Sequence, residues 1–307
     1  MQAKCKVCKE KGVHTPASIK LSAYRLNLCK EHFIGWVEKR TEETIKKFKM
    51  FGKKQRLLVA VSGGKDSLNL WYILNKLGYN ADGFYIDLGI PDYSEKSKIF
   101  AQKMAEILNK NLIVVDLNDE VSDIISISKR SNRPVCSVCG TLKRYYFNKT
   151  ARESNYDVLV TGHNLDDEVA VLFGNTINWK IDYLKKQYPV LKAKPGFTRK
   201  VKPFCRISEK ESAIYSFLNN IEYIKMECPK SIGASSIKNK LIISKLEKEI
   251  LAFKVRFYMD FLKNMYPVLQ MDNTQDTNEH YCESCGEPSN NDICSVCNLK
   301  KLITTTL

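Results

Sequence analysis

Leu57-Leu-Val-Ala-Val-Ser-Gly-Gly-Lys-Asp-Ser67 joins a strand, a glycine turn and a helix start in one short run. Leu57 to Val61 is unbroken apolar sequence of the length of a fully buried parallel strand. Gly63 and Gly64 follow at once. Then Leu68, Leu70, Trp71, Leu74 and Leu77 recur at helical spacing until Gly78 ends the helix. Glycines let the backbone approach an anion without a Cβ clash, and the open N–H groups of the helix start point at it with the helix dipole behind them. The order makes a phosphate cradle. It is not the Walker loop, which needs four residues between its first glycine and Gly-Lys-Ser/Thr.

Working outward, Gly83 to Leu88, Leu112 to Leu117, Tyr156 to Val160 and Ile221 to Met226 read as further strands. Helical patterns fall at Ser94–Asn109, Asp119–Ser128, around Lys143, Arg144, Tyr145 and Tyr146, at Ser208–Asn219 and over residues 235–264. Strands alternating with helices predict an α/β fold with a doubly wound parallel sheet. Ligands of such sheets bind outside the carboxyl ends of the strands, which sets Ala60, Val61, Ile86 and Asp87 beside an adenosine. The strand at Tyr156 ends in Thr161-Gly-His-Asn-Leu-Asp-Asp-Glu168 and brings His163, Asp166 and Asp167 to the same cleft. Asn164 or Asp166 would also serve as a helix N-cap with an acidic first turn, a role compatible with Mg²⁺ binding.

The formal net charge is +15, from 49 Lys+Arg against 34 Asp+Glu, and favours a polyanionic partner. Residues 190–206 concentrate it in Lys192, Lys194, Arg199, Lys200, Lys202 and Arg206, either as a nucleic-acid contact loop or as a solvated charge run. No apolar run approaches the ~20 residues of a membrane span, and the chain does not open on a signal peptide, so no membrane and a cytoplasmic location are expected. Eleven cysteines in such a chain point to metal ligands in a reducing compartment.

Cys5-x-x-Cys8 with Cys29-x-x-His32 has the spacing of a tetrahedral zinc site, as has Cys282-x-x-Cys285 with Cys294-x-x-Cys297. His14 has no paired ligand and reads as a loop residue. The expected organisation is an N-terminal zinc module with linker over 1–40, a nucleotide-binding catalytic domain over 41–268 and a C-terminal zinc ribbon over 269–307, with residues 270–280 as a polar link. Cys136, Cys139, Cys205 and Cys228 remain. The pair Cys136/Cys139 and Cys228 can converge at the strand ends, and Cys205 stands apart in the basic stretch.

Ser62-Gly-Gly-Lys-Asp-Ser67 resembles the PP-loop of the ATP pyrophosphatases, which split ATP between its α and β phosphates. The whole chain resembles the TtuA/NcsA group of tRNA 2-thiolation enzymes, relatives of TtcA. The likeness rests on the two terminal modules, the PP-loop, Pro134-Val-Cys-Ser-Val-Cys-Gly140, Thr161 to Glu168, and Glu227-Cys228-Pro229. It implies a [4Fe-4S] cluster on Cys136, Cys139 and Cys228, with one iron open to sulfide. It implies ATP contacts at Ala60, Ser62, Gly63, Gly64, Lys65, Asp66, Ser67, Ile86, Lys143, Gly162 and His163. Lys143 and the Asp166/Asp167 pair match the group's catalytic positions, with Mg²⁺ near Asp66 and that pair. The implied reaction adenylylates the C2 oxygen of a tRNA uridine and replaces it by sulfur, drawn from a ubiquitin-like protein thiocarboxylate or free sulfide, in a homodimer. Two alternatives stay open. One is a persulfide route on low-pKa thiolates near Lys143 and Arg144, and the other is a PP-loop ligase that transfers no sulfur. Either the anticodon wobble uridine or a T-loop uridine would fit.

Overall fold

A computed structural model describes residues 3–121, 124–230, 235–271 and 280–304. Near the N-terminus β1 (Ile19–Leu21) and β2 (Leu26–Leu28) form an antiparallel hairpin with Ile19 opposite Leu28. Helix Lys30–Lys47 then runs straight through the expected module boundary at residue 40. It joins the N-terminal segment to the main core through buried Phe33, Val37 and Ile45.

The main sheet contains β3 (Arg56–Ala60), β4 (Asn80–Asp87), β5 (Leu112–Asp116), β6 (Val158–Thr161), β7 (Val190–Leu191) and β8 (Arg199–Val201). Their spatial order is β5-β4-β3-β6-β8-β7, parallel except for the edge strand β7. The chain leaves β3 towards β4 and β5, then returns to the other side of β3 with β6. The order therefore reverses between β3 and β6, where open α/β sheets bind ligands.

Period-two alternation sorts the sheet onto two cores. Leu57, Val59, Val158 and Val160 face one layer, with Leu68, Trp71, Val169 and Tyr215 from the helices. Leu58, Phe84, Ile86 and Leu159 face the other, with Val138, Leu142 and Tyr146 of helix Val135–Glu153. The C-terminal module docks on this second layer through Val296 and Leu299, and Arg152 pairs with the nearly buried Glu287.

Two features differ from the sequence expectations. Ile221 to Met226 is not a strand: no sheet edge reaches it, and the Ile224 N–H donates to Gly63 O at 3.0 Å. The basic stretch supplies β7 and β8, which extend the sheet beyond β6. The expected long helix is divided into Ser235–Glu249, Phe253–Asp260, a π-helical turn at Phe261–Met265 and Tyr266–Met271. Most of the expected polar link at 270–280 lies outside the described residues. Among the described residues no helix is long and apolar enough to cross a membrane.

Candidate active site

The loop after β3 is built from its own hydroxyls. Ser62 N–H donates to Ser67 Oγ at 3.1 Å, and Ser67 Oγ donates to Gly64 O at 3.0 Å. Gly64 is the N-cap of helix Lys65–Lys76 and offers no side chain to cap it, so the first N–H groups stay available to an anion. Gly63 sits at φ 72°, and a Cβ there would lie 2.3 Å from Ser97 O. Gly162, at the end of β6, lies so close to the helix start that a Cβ would meet the Ser67 backbone at 2.9 Å. Both positions need glycine for space, and Gly63 for its conformation as well.

Above the loop opens a cavity of about 430 Å³. Ala60, Ser62, Gly64, Asp66, Ser67, Ile86, Lys143, Gly162, His163 and Asp167 all line it. Gly63, Lys65 and Asp166 do not. Gly63 turns its carbonyl to Ile224. Lys65 Nζ lies 3.1 Å from Asp66 Oδ2 and 3.2 Å from Glu209 Oε1. Asp166 pairs with Lys254 at 2.6 Å and accepts from Glu209 N–H at 2.8 Å, which commits both of its oxygens.

Adjacent acids on a helix point about 100° apart, so one of the pair faces the cavity and the other does not. Asp167 is the one that does. It completes a capping box with Asn164 and pairs with Lys240 at 2.6 Å. Burial raises its pKa, but Lys240 outweighs this and holds the carboxyl below its usual range. Capping and cavity lining are thus met by one residue. Asp66 is held by Lys65 on one oxygen, while Oδ1 is buried without a well-formed hydrogen bond, a donor suited to a hard cation. His163 Nδ1 lies 3.0 Å from Thr161 Oγ1; burial, then nearby Lys202, keep the imidazole below its ordinary range and so neutral near pH 7.

Helix Val135–Glu153 carries Cys136 and Cys139 in its first turns and Lys143 and Arg144 on the cavity wall. Cys136 Sγ donates to Lys230 O at 3.2 Å, which draws the Cys228-Pro229 segment against the helix start. Tyr93 joins the two regions: it lines the cavity and packs in the same cluster as Cys139 and Cys228. Burial pushes the Cys139 thiol up against the pull of Lys143.

Comparison with known proteins agrees with this geometry. A model of the PP-loop domain matches residues 37–175. A protein of Thermotoga maritima named tRNA-5-methyluridine(54) 2-sulfurtransferase is 41% identical over 98% of this chain and 97% of its own. The chain belongs to the TtuA/NcsA family of tRNA 2-thiolation enzymes. A Thermus thermophilus protein of the same name is also 41% identical, over 96% of this chain and 90% of its own. The solved U34-tRNA thiolase NcsA of Methanococcus maripaludis, described with its [4Fe-4S] cluster, superposes with a TM-score of 0.79 at 26% identity, over 98% of this chain and 96% of that one.

Like that family's sequence pattern, the structure closes two further cysteine sets. Cys5, Cys8, Cys29 and His32 offer ligand atoms all within 4.8 Å of one another, and so do Cys282, Cys285, Cys294 and Cys297. His32 Nδ1 lies 3.5, 3.3 and 3.1 Å from the sulfurs of Cys5, Cys8 and Cys29. In the C-terminal set Cys294 N–H donates to Cys282 Sγ at 3.2 Å and Cys297 N–H to Cys294 Sγ at 3.3 Å, bonds that favour thiolates. Each set could hold one metal ion. Cys205, the eleventh cysteine, is fully buried in the first core, far up from the ordinary thiol pKa through burial.

Sequence reading missed several cavity residues. Tyr85, Leu88, Tyr93 and Phe147 give it apolar walls, and Lys200 enters it from β8. Tyr85 is recoverable from the strand register, as it flanks Ile86 on β4. Lys200 was not, because the strand that carries it is three residues long.

Proposed function

We propose that this chain is an ATP-dependent tRNA 2-sulfurtransferase that acts on uridine 54. The carrying observation is one helix with two jobs: Val135–Glu153 bears Cys136 and Cys139 at its start and lines the phosphate-loop cavity with Lys143 and Arg144. Nucleotide activation and sulfur chemistry therefore share one space. The position follows from similarity, since the relatives at 41% identity are named for uridine 54 and the U34 enzyme is at 26%.

ATP lies with its adenosine against Ala60, Ile86 and Phe147 and its phosphates on the loop Ser62–Ser67. Mg²⁺ fits beside Asp66 and Asp167. The uridine is turned out of its stack so that the C2 oxygen meets the α-phosphate. Lys143 and the helix N-terminus balance the charge that develops there. Pyrophosphate leaves, the adenylylated oxygen is now a leaving group, and sulfur replaces it as AMP departs. Cys136, Cys139 and Cys228 would hold a [4Fe-4S] cluster, whose chemistry is to present sulfide to the activated carbon. The two closed sets suit zinc by donor type and count, with no position left for catalysis. The supply of sulfur is free sulfide or a ubiquitin-like protein thiocarboxylate, and a cytoplasmic homodimer completes the reading.

The test is anaerobic reconstitution followed by metal analysis and a thiolation assay on tRNA with ATP and sulfide. About four iron and two zinc per chain are expected, with one AMP per sulfur at position 54. Sulfur at position 34, or AMP release with none incorporated, would overturn the assignment. Full activity without iron would move it to the persulfide route.

A further inference from the structure

Among the described residues, the cavity holds a cation that makes no ion pair with its walls. Lys143, Arg144 and Lys200 line it together with Asp66 and Asp167, and both acids already pair with other lysines, Lys65 and Lys240. β8 runs parallel to β6 with Lys200 beside Leu159. Alternation buries Val201 in the core and turns Lys200 to the cavity face. Its neighbour Lys202 takes buried Glu168 at 2.7 Å, and among the described residues Lys200 makes no ion pair.

The charged groups around Lys200 come from four elements. They are Lys202 just after its own strand, Arg144 on helix Val135–Glu153, Glu168 on helix Leu165–Ile177 and His163 in the loop after β6. Burial first, then Lys202 and Arg144, push its ammonium down to about 8. A solvated lysine or an open RNA contact would feel none of this. A group kept half-desolvated among other cations is stabilised when an anion arrives, and the attraction is stronger for being out of water.

We propose that Lys200 is a phosphate-binding residue of the nucleotide site, for which the phosphates of a nucleoside triphosphate are the missing partner. This rests on the reading of the cavity as the ATP site. Lys200 enters from β8 and Lys143 from helix Val135–Glu153, so the two ammonium groups would hold the phosphate chain from two elements.

The experiment is calorimetric titration of the metal-loaded full chain with the α,β-methylene analogue of ATP and Mg²⁺, from about pH 6.5 to about pH 9.5, and needs no thiolation. Below about pH 8 free Lys200 is charged and its contribution is complete. Above it, binding must restore the proton, so affinity falls about tenfold per pH unit until the bound-state pKa is reached. Lys200→Arg stays charged throughout and should lose this slope while binding within a few-fold of wild type at neutral pH. Lys200→Met should bind about 30-fold or more weakly at pH 7 and show no slope. The proposal falls if Lys200→Met binds the analogue like wild type, or if the slope persists in Lys200→Arg. It falls equally if Lys200→Met loses only tRNA. Should Lys200→Met fail to fold, wild type against Lys200→Arg still decides. Wild type that binds no nucleotide at any pH would remove the ATP reading itself, a failure distinct from a missing slope.

Discussion

The cysteines at the two ends of the chain and the three in its middle are the same residue type under opposite constraints. At the ends four ligand atoms converge within 4.8 Å. Ten of the chain's eleven cysteines belong to one or other arrangement. In the middle Cys136 is exposed, Cys139 and Cys228 are half-buried, and Tyr93 packs in one cluster with the latter two and lines the nucleotide cavity. A closed tetrahedral set has nothing left to offer a substrate, so its energy goes into holding a segment too small for its own core. An open set of three has coordination to spare and little structural leverage. The difference teaches where to look for chemistry: at the cysteines the fold leaves incompletely enclosed.

The largest effects should separate the two arrangements cleanly. Cys8→Ser breaks the N-terminal set. Structural zinc supplies roughly 10–16 kcal/mol of apparent folding energy, as much as a whole domain's stability of about 5–15 kcal/mol. The hairpin and the start of helix Lys30–Lys47 should become protease-sensitive, with one zinc lost. Cys228→Ser should instead leave melting and zinc unchanged and abolish thiolation, by about 10⁴-fold or more. Iron content, limited proteolysis and thiolation measured on the same preparations check this. A Cys228→Ser protein that unfolds, or a Cys8→Ser protein that is merely inactive, would break the comparison.

A middle-sized effect sharpens it. The C-terminal set does more than close on itself, because its module packs on the helix that presents Cys136 and Cys139. Arg152→Ala leaves the nearly buried Glu287 carboxylate without its cation. The cost should be about 1–3 kcal/mol, read as a lower melting temperature with both zinc ions retained. Thiolation should fall several-fold without loss of iron. An unchanged melting temperature would mean that the apolar contacts of Val296 and Leu299 hold the module unaided.

How much of this could be read from the amino-acid sequence follows from the range of the forces involved. The PP-loop is legible because its apolar run, two glycines and helical spacing are contiguous. The closed metal sets are legible because ligand pairs with two residues between them turn towards one ion. Lys200 is not, because β8 is defined by pairing with β6 some forty residues away and has no periodicity of its own. Ile221 to Met226 is apolar enough for a strand, yet such a run makes a strand only where an edge is free to receive it, and here the backbone serves Gly63. Asp166 and Asp167 are indistinguishable as letters. One turns to Lys254 and the other to the cavity through helix geometry alone.

The smallest effect concerns the cysteine that belongs to neither arrangement. Cys205 is fully buried beside Phe204 and Ile207, and burial keeps it a neutral thiol rather than a thiolate. A thiol of this kind behaves as a small apolar group. Cys205→Ala should therefore remove little more than one sulfur's packing, about 1 kcal/mol, with iron, zinc and thiolation at wild-type levels. Melting and metal analysis on one sample read both quantities. Loss of iron in Cys205→Ala would assign this residue to the central set, and the division between enclosed and open cysteines would then have to be redrawn around four ligands instead of three.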